Sequence, residues 1–364
     1  MKIYVTGIGG LIGSTVAEEA AKRGHKVWGS DCDNRGRWYG NKGSVEWRLR
    51  DLSRLGINIF REDYRSRLGL VGGADLVVHC AGQASHDYSR THVITDFQIN
   101  ALGTVELLEA TRNLSPKAIF VFLSTNKVYG DRINEESFVR NGERLVPALD
   151  SLQFGINEHY LLDSSTHTPF GVSKTAADLM VQEYRYCFGM KTVTFRCGCM
   201  TGTGGTAVEL QGFLGYLVKC AVAGTEYLVY GHEGYQVRDN IDAGDVADAI
   251  LRYAAAPKRA VYNLGGGPEN SISIREAVRY LREAHGLEFP IRWIMPPRMG
   301  DHRWWVTDTI AFEADYPQWK RKTIKEVIDA LVAAERRKRP DSVEGSSPRE
   351  QTGALPDSTK SFGT

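Results

Sequence analysis

Glycines at 7, 10 and 13 stand between a short apolar run, Ile3-Tyr4-Val5, and an amphipathic pattern over about residues 11–23. Strand, tight turn and helix in that order let backbone N–H groups close on a pyrophosphate at the helix N-terminus, where Leu11 and Ile12 begin the helix. Asp31 ends the next apolar run, about 18 residues on, where a carboxylate accepts the hydroxyls of an adenosine ribose and repels a 2′-phosphate. This favours NAD over NADP. Arg35 and Arg37, in the polar, glycine-rich stretch 32–44, could serve a phosphate instead or stand in a solvated loop, which leaves NADP open. After a third run, 57–60, come Asp63, an acid placed to meet an adenine amino group, and Tyr64. A fourth, 74–80, ends in Ala81-Gly82-Gln83, small residues that let a cofactor lie across the strand tip. A fifth, 118–123, ends in Ser124-Thr125-Asn126-Lys127.

The elements that position these groups alternate. Apolar runs, read as strands buried on both faces, are separated by helical patterns, and this predicts parallel β-α-β units with right-handed crossovers. Every motif named falls at a strand's carboxyl end, where such sheets bind ligands. A helix is predicted over about residues 92–114, with Phe97, Leu102, Val105, Leu107 and Leu108 on its apolar side and Asn100 inside it, where a buried helix-capping or loop-bracing role is one reading. Residues 131–169 are polar and irregular, as in a lid or binding loop, and lead into a helix to about residue 188 and a sixth strand, 191–196. Ser273 with Glu276, and Thr323 with Glu326, have the spacing of capping boxes. The expected fold is a doubly wound α/β parallel sheet, Rossmann-like, with a smaller C-terminal α/β substrate lobe. Residues 1–200 would form the dinucleotide-binding domain, with elements near 236–263 returning to it, 201–337 mainly the substrate lobe, and 338–364 a disordered tail.

Composition excludes several classes. Basic and acidic residues number 45 and 44, for a net charge of +1, so no nucleic-acid partner is expected. The apolar runs are too short to cross a bilayer and no signal peptide is evident, which implies a cytoplasmic enzyme without a membrane partner. Cys197-Gly-Cys199 lacks a second Cys/His pair at ligand spacing, so no metal site is expected.

The glycine turn, Ser124-Thr125 with Val128-Tyr129-Gly130, and the block ending in Lys174 resemble the nucleotide-sugar branch of the extended short-chain dehydrogenase/reductase family, over about residues 1–335. Within it, Asn126-Lys127, Ala81-Gly82-Gln83, Gln236-Val237-Arg238-Asp239 and Asn263-Leu264-Gly265-Gly266 look most like the epimerases that invert C2 of CDP-linked sugars. The dehydratases of the branch carry Asp-Glu where Asn126-Lys127 stand, so loss of water is not expected. A 4-epimerase is the alternative, because ring placement alone separates the two. The resemblance implies tightly bound NAD, a nucleotide-diphosphate sugar as substrate, and a homodimer paired through helices near 96–113 and 172–187.

The same resemblance assigns roles. Thr125 would bond the reacting hydroxyl, Lys174 would bind the nicotinamide ribose, and Asn100 and Ser124 would border the cofactor. Gln83, Asn126, Lys127, Cys199 and Gln211 would line the sugar. Arg238 would grip the diphosphate, with Arg298, Asp301 and Arg303 closing over it from a late loop. Lys174 would also lower the pKa of a tyrosine four residues earlier, but Phe170 stands there and carries no proton. Either the base has been removed from an epimerase, which then binds NAD and nucleotide sugar but is catalytically impaired, or this is a natural variant that uses another base or has become a non-catalytic binding protein; His167, Tyr129 and Cys199 are candidate bases, each also readable as a structural residue.

Overall fold

The computed structural model describes residues 1–338 except 206, 210 and 211. Gln211 and the expected tail beyond Lys338 lie outside the described residues. Seven parallel strands form the main sheet, in the spatial order Val261–Leu264, Lys191–Cys197, Ile119–Thr125, Leu76–His79, Lys2–Thr6, Lys26–Ser30, Asn58–Phe60. The central strands are apolar because both faces are covered: Leu76, Val77, Val78 and Phe120, Val121, Phe122 are all buried. On one face, helices Leu11–Lys22 and Ala243–Ala255 pack around Val16, Ala17, Val246 and Ile250. On the other, helices Gly103–Leu114 and Thr168–Phe188 cover Tyr4, Val77 and Phe120 with Leu107, Leu108, Ala177 and Val181.

A separate apolar cluster builds the smaller lobe. Helices Phe213–Ala223, Ile274–His285 and Ile324–Arg337 bury Leu214, Leu217, Leu281 and Ile328 beside the paired strands Tyr227–Tyr230 and Ile291–Ile294. Both predicted capping boxes form: Ser273 and Thr323 each accept the N–H of the glutamate three residues on, whose carboxylate returns the bond. No helix among the described residues is long and apolar enough to cross a membrane.

Three expectations change. The single helix predicted over 92–114 is broken into His86–Thr91, Val93–Phe97, a wide i→i+5 turn at Gln98–Leu102, and Gly103–Leu114. The wide turn inserts a residue and rotates the helix face, so Leu107 and Leu108 are buried while Phe97 and Leu102 are 47% and 48% exposed. The stretch 32–44 is not all loop, since Asp33 caps a short helix, Asn34–Tyr39, by accepting from the Gly36 N–H. Residues 131–169 contain an antiparallel hairpin, Phe138–Asn141 with Arg144–Pro147. Its Arg144 forks onto Glu276 at 2.8 and 2.9 Å and onto the Ser271 carbonyl at 2.6 Å, strapping this segment to the smaller lobe.

Candidate active site

A cavity of about 590 Å³ runs along the carboxyl ends of the strands, where the strand order reverses between Lys2–Thr6 and Leu76–His79. At one end lies the glycine turn. A Cβ on Gly13 would stand 2.2 Å from the Gly7 carbonyl oxygen, and one on Gly7 (φ +65°) 2.7 Å from the Ala81 nitrogen. Only bare backbone fits there, and it forms a concave wall with Gly10, Leu11 and Ile12. Asp31 is fixed beneath it by the N–H groups of Gly9 (2.9 Å) and Asp33 (2.8 Å), and burial pushes its carboxyl above the usual range. Gly9 was not singled out from the sequence; the Gly9-Gly10 doublet was the available signal, and a Cβ there would strike Val45 and Leu49.

Asp63 and Tyr64 also border this end. The Asp63 carboxylate is held by Arg65 through Nε (3.0 Å) and Nη2 (2.7 Å), and the Tyr64 ring sits edge-on to His79. Ala81 and Gly82 line the cavity as expected of a strand tip. Asn100 does not. Its amide accepts from the Gln83 N–H (2.9 Å) and donates to the Gln83 carbonyl, Asp96 and Ser173, so it braces the loop at the strand tip from behind. Both ends of the Gln83 amide fold back onto Ser85, which leaves that side chain engaged inside its own loop.

Midway along the cavity stand Ser124, Thr125, Asn126, Lys127, Phe170 and Lys174. Ser124 donates to Asp178 at 2.7 Å. Thr125 ends its strand and accepts the Lys127 N–H at 3.2 Å. Lys174 reaches from helix Thr168–Phe188 to the Leu123 carbonyl at 2.7 Å, with its amine 4.0 Å from the Phe122 ring centroid. Burial lowers its pKa to about 8. The Phe170 ring, four residues earlier, meets His86 edge-on at 5.0 Å. His86 was not anticipated; burial holds its imidazole neutral, with a pKa of about 3.

At the far end the lining includes Cys199, Arg238, Arg298 and Asp301. Arg238, on strand Val237–Asp242, donates to Asp301 at 2.5 Å and to the His302 carbonyl, so the late loop is already tied to that strand. Arg298 lies 3.8 Å from the Tyr230 ring centroid. Arg303 departs from expectation: its guanidinium stacks on Phe138 and its backbone binds Asn134 and Val237, away from the cavity lining.

The three replacement bases named from the sequence are structural or unreactive. His167 turns both ring nitrogens to carbonyl oxygens, of Ser165 and Val128. Tyr129 is fully buried, donates to Asn263 and receives Arg196, and burial pushes its phenol up to about 12. Cys199 does line the cavity, but burial pushes its thiol up to about 11.

A bare-backbone glycine turn, a fixed acid at the second strand and a Thr/Lys pair thus open into one cavity at the carboxyl ends of a parallel, Rossmann-like sheet. The chain belongs to the NAD dependent epimerase/dehydratase family, whose model matches residues 3–265. It is 32% identical over 322 residues to CDP-paratose 2-epimerase of Salmonella typhi, covering 85% of this chain and 91% of that one. It is 27% identical over 285 residues to dTDP-glucose 4,6-dehydratase 1 of Escherichia coli K12, covering 74% and 73%. Among solved structures, UDP-glucose 4-epimerase of Thermus thermophilus in complex with NAD superposes with a TM-score of 0.73 at 27% identity, over 92% of this chain and 99% of that one. UDP-glucuronic acid 4-epimerase of Bacillus cereus, in complex with UDP-glucuronic acid and NAD, shares the fold with a TM-score of 0.75 at 20% identity, over 93% and 100%.

Because Asn100 satisfies both backbone groups of buried Gln83, Asn100→Ala should destabilise the protein by about 1–3 kcal/mol. Urea unfolding measures this; an unchanged midpoint would mean that the loop holds itself.

Proposed function

We propose that the protein is an NAD-dependent epimerase that inverts C2 of a CDP- or GDP-linked hexose through a transient 2-keto sugar. The observation that supports this most is the single cavity joining the glycine turn and Asp31 to Thr125 and Lys174, and then to the Arg238–Asp301 end. The cofactor fits the residues present: the turn at Gly7 and Gly13, packed so closely on Ala81 and on itself that no Cβ is tolerated, brings bare backbone to the helix N-terminus as a pyrophosphate requires, and Asp31 suits a ribose diol. Bound there, NAD supplies reversible removal and return of a hydride at a sugar carbon.

The chain's own residues orient and anchor. Thr125 offers its hydroxyl to the reacting sugar oxygen. Lys174, fixed by the Leu123 carbonyl, offers N–H donors to the nicotinamide ribose. Arg238 and Arg298 supply cationic, multidentate donors for the diphosphate. Asn126 has no ionisable proton and neither residue is a carboxylic acid, so Asn126-Lys127 lacks the paired acid and base that expel water, which argues against dehydration. C2 is preferred because the relative at 32% identity is a 2-epimerase. The likeness to a UDP-glucose 4-epimerase at 27% favours C4 as the second reading.

The purified protein, incubated with CDP-, GDP- and UDP-hexoses in deuterated water and followed by NMR, should yield the C2 epimer of a CDP- or GDP-sugar without deuterium at the inverted carbon. Inversion at C4 would establish the second reading. Deuterium at the inverted carbon, or no turnover of any nucleotide sugar, would overturn the mechanism.

Asp31 sets the cofactor choice. Asp31→Ala should weaken NAD binding by about 1.5–3 kcal/mol, the loss of a charge-assisted hydrogen-bond pair. Calorimetry that finds NADP preferred before the change, and NAD affinity untouched by it, would show the ribose assignment to be wrong.

A homodimer is part of the same proposal. Ile94 (74% exposed), Phe97, Leu102, Val172, Leu179 and Tyr186 are exposed on two neighbouring helical stretches, Val93–Leu114 and Thr168–Phe188, and a second copy of this chain is the occupant that suits them. Ile94→Glu with Leu179→Glu should yield a monomer by light scattering, and a mass that stays at the dimer value would rule this face out.

A further inference from the structure

The cavity wall around Phe170 contains a group placed to replace the missing phenol. We propose that Lys127 is the proton acceptor and donor of the reaction, standing in for the tyrosine that Phe170 replaces; this rests on the epimerase reading above.

Lys127 follows Thr125 by two residues, in the single turn Asn126–Tyr129, and lines the cavity together with Thr125 and Phe170. Its amine donates to the Gly300 carbonyl at 2.6 Å. Gly300 (φ +75°) is wedged into the same wall: a Cβ there would lie 2.9 Å from Thr168 Cγ2 and 3.0 Å from His86 Nδ1. His86 in turn bonds Thr168 Oγ1 at 2.9 Å and packs edge-on against the Phe170 ring. Thr168 is held at φ 62°, a strained conformation for a β-branched residue. Strain of that kind persists where the surroundings over-determine it, and it clusters at functional sites. Asp301, next to Gly300, turns its carboxylate to Arg238 rather than to this amine. The amine is therefore held by one carbonyl, in the cavity wall that Thr125 and Phe170 also line.

The charges around it favour the neutral form. Burial first and the nearby Arg238 guanidinium second lower the Lys127 pKa, against the opposing pull of Asp301, Asp131 and Cys199, and the balance is about 8. His86 and His302, from the remaining sides, are themselves held well below the usual histidine range and carry no charge. A neutral amine donates one N–H to Gly300 and keeps its lone pair for the hydroxyl that Thr125 fixes. In the forward step the sugar O–H bond breaks toward Nζ, leaving an ammonium, while the two electrons of the C–H bond leave for the oxidised nicotinamide and the carbonyl forms. The reverse step on the other face returns the proton from Nζ to the oxygen, so no proton is consumed overall. The second cavity amine, Lys174, is held elsewhere, on the Leu123 carbonyl over the Phe122 ring.

The test uses the holoenzyme with the nucleotide sugar that turns over best. For the wild type, kcat/KM should fall about tenfold per pH unit below about pH 8, because the protonated amine cannot accept. Lys127→Arg and Lys127→Met should each lower kcat by about 10²–10⁴-fold, with the nucleotide-sugar Kd from calorimetry little changed. Phe170→Tyr added to Lys127→Met should restore activity at least about tenfold, because it supplies a phenol beside Lys174. NMR of ¹³C-labelled lysine should show one signal, absent in Lys127→Arg, that titrates near pH 8. The base assignment alone is overturned if the wild type turns over while Lys127→Arg keeps its kcat, if that signal titrates in the ordinary ammonium range, or if the loss is confined to Kd, as for a residue that only grips the ligand. Absence of turnover in the wild type and in Phe170→Tyr alike would sink the epimerase reading, and the assignment with it.

Discussion

A buried ion pair behind the cavity wall organises the reaction centre. Asp178 on helix Thr168–Phe188 meets Arg196 on strand Lys191–Cys197 through two bonds of 3.0 Å, with side chains 0% and 5% exposed. Charges so far from water persist only when every polar atom is satisfied. Asp178 accepts from Ser124 and Gln182 as well, and Arg196 donates to Tyr129, which donates to Asn263. One network thus ties the helix carrying Phe170 and Lys174 to the strand tip carrying Thr125. Its value to function is register: a slip of that helix would unpair a buried charge, so the helix has one seat.

The two halves of the site are built on different physics. At the glycine-turn end the constraint falls on backbone, because a Cβ at Gly7 would strike Ala81 and one at Gly13 the Gly7 carbonyl. At the other end it falls on side chains that hold one another, as Arg238 holds the Asp301 and His302 segment. The late loop is therefore docked before any ligand arrives, and a nucleotide sugar would exchange with these ion pairs rather than find bare charges.

That difference decides what the sequence could show. The sheet and the glycine turn were legible because buried parallel strands must be apolar and the turn must be small, both local properties of the chain. The outward turn of Phe97 and Leu102 was not, since a wide turn at Gln98–Leu102 shifts the helix phase without leaving a compositional mark. Asn100 and Gln83 read as ligand groups by type and position, yet their amides close on partners distant or adjacent in the chain that spacing does not reveal. Arg303 is similar: a cation in the right loop, two residues from Asp301, but stacked on Phe138 of a hairpin that the sequence presented as irregular.

Phe170 is where fold and chemistry part. The phenyl ring is buried against His86 and carries no proton to exchange, while Lys174, four residues on, is held by the Leu123 carbonyl. What changes is where a proton can go. In this pocket the histidine is too acidic as an imidazolium and the thiol too weak an acid, each displaced by the same burial. Burial acts on a lysine in the opposite functional sense, bringing an amine that water keeps charged down toward neutrality. Burial that disqualifies one candidate base therefore favours another. That amine donates to the carbonyl of Gly300, a residue packed closely against Thr168 and His86.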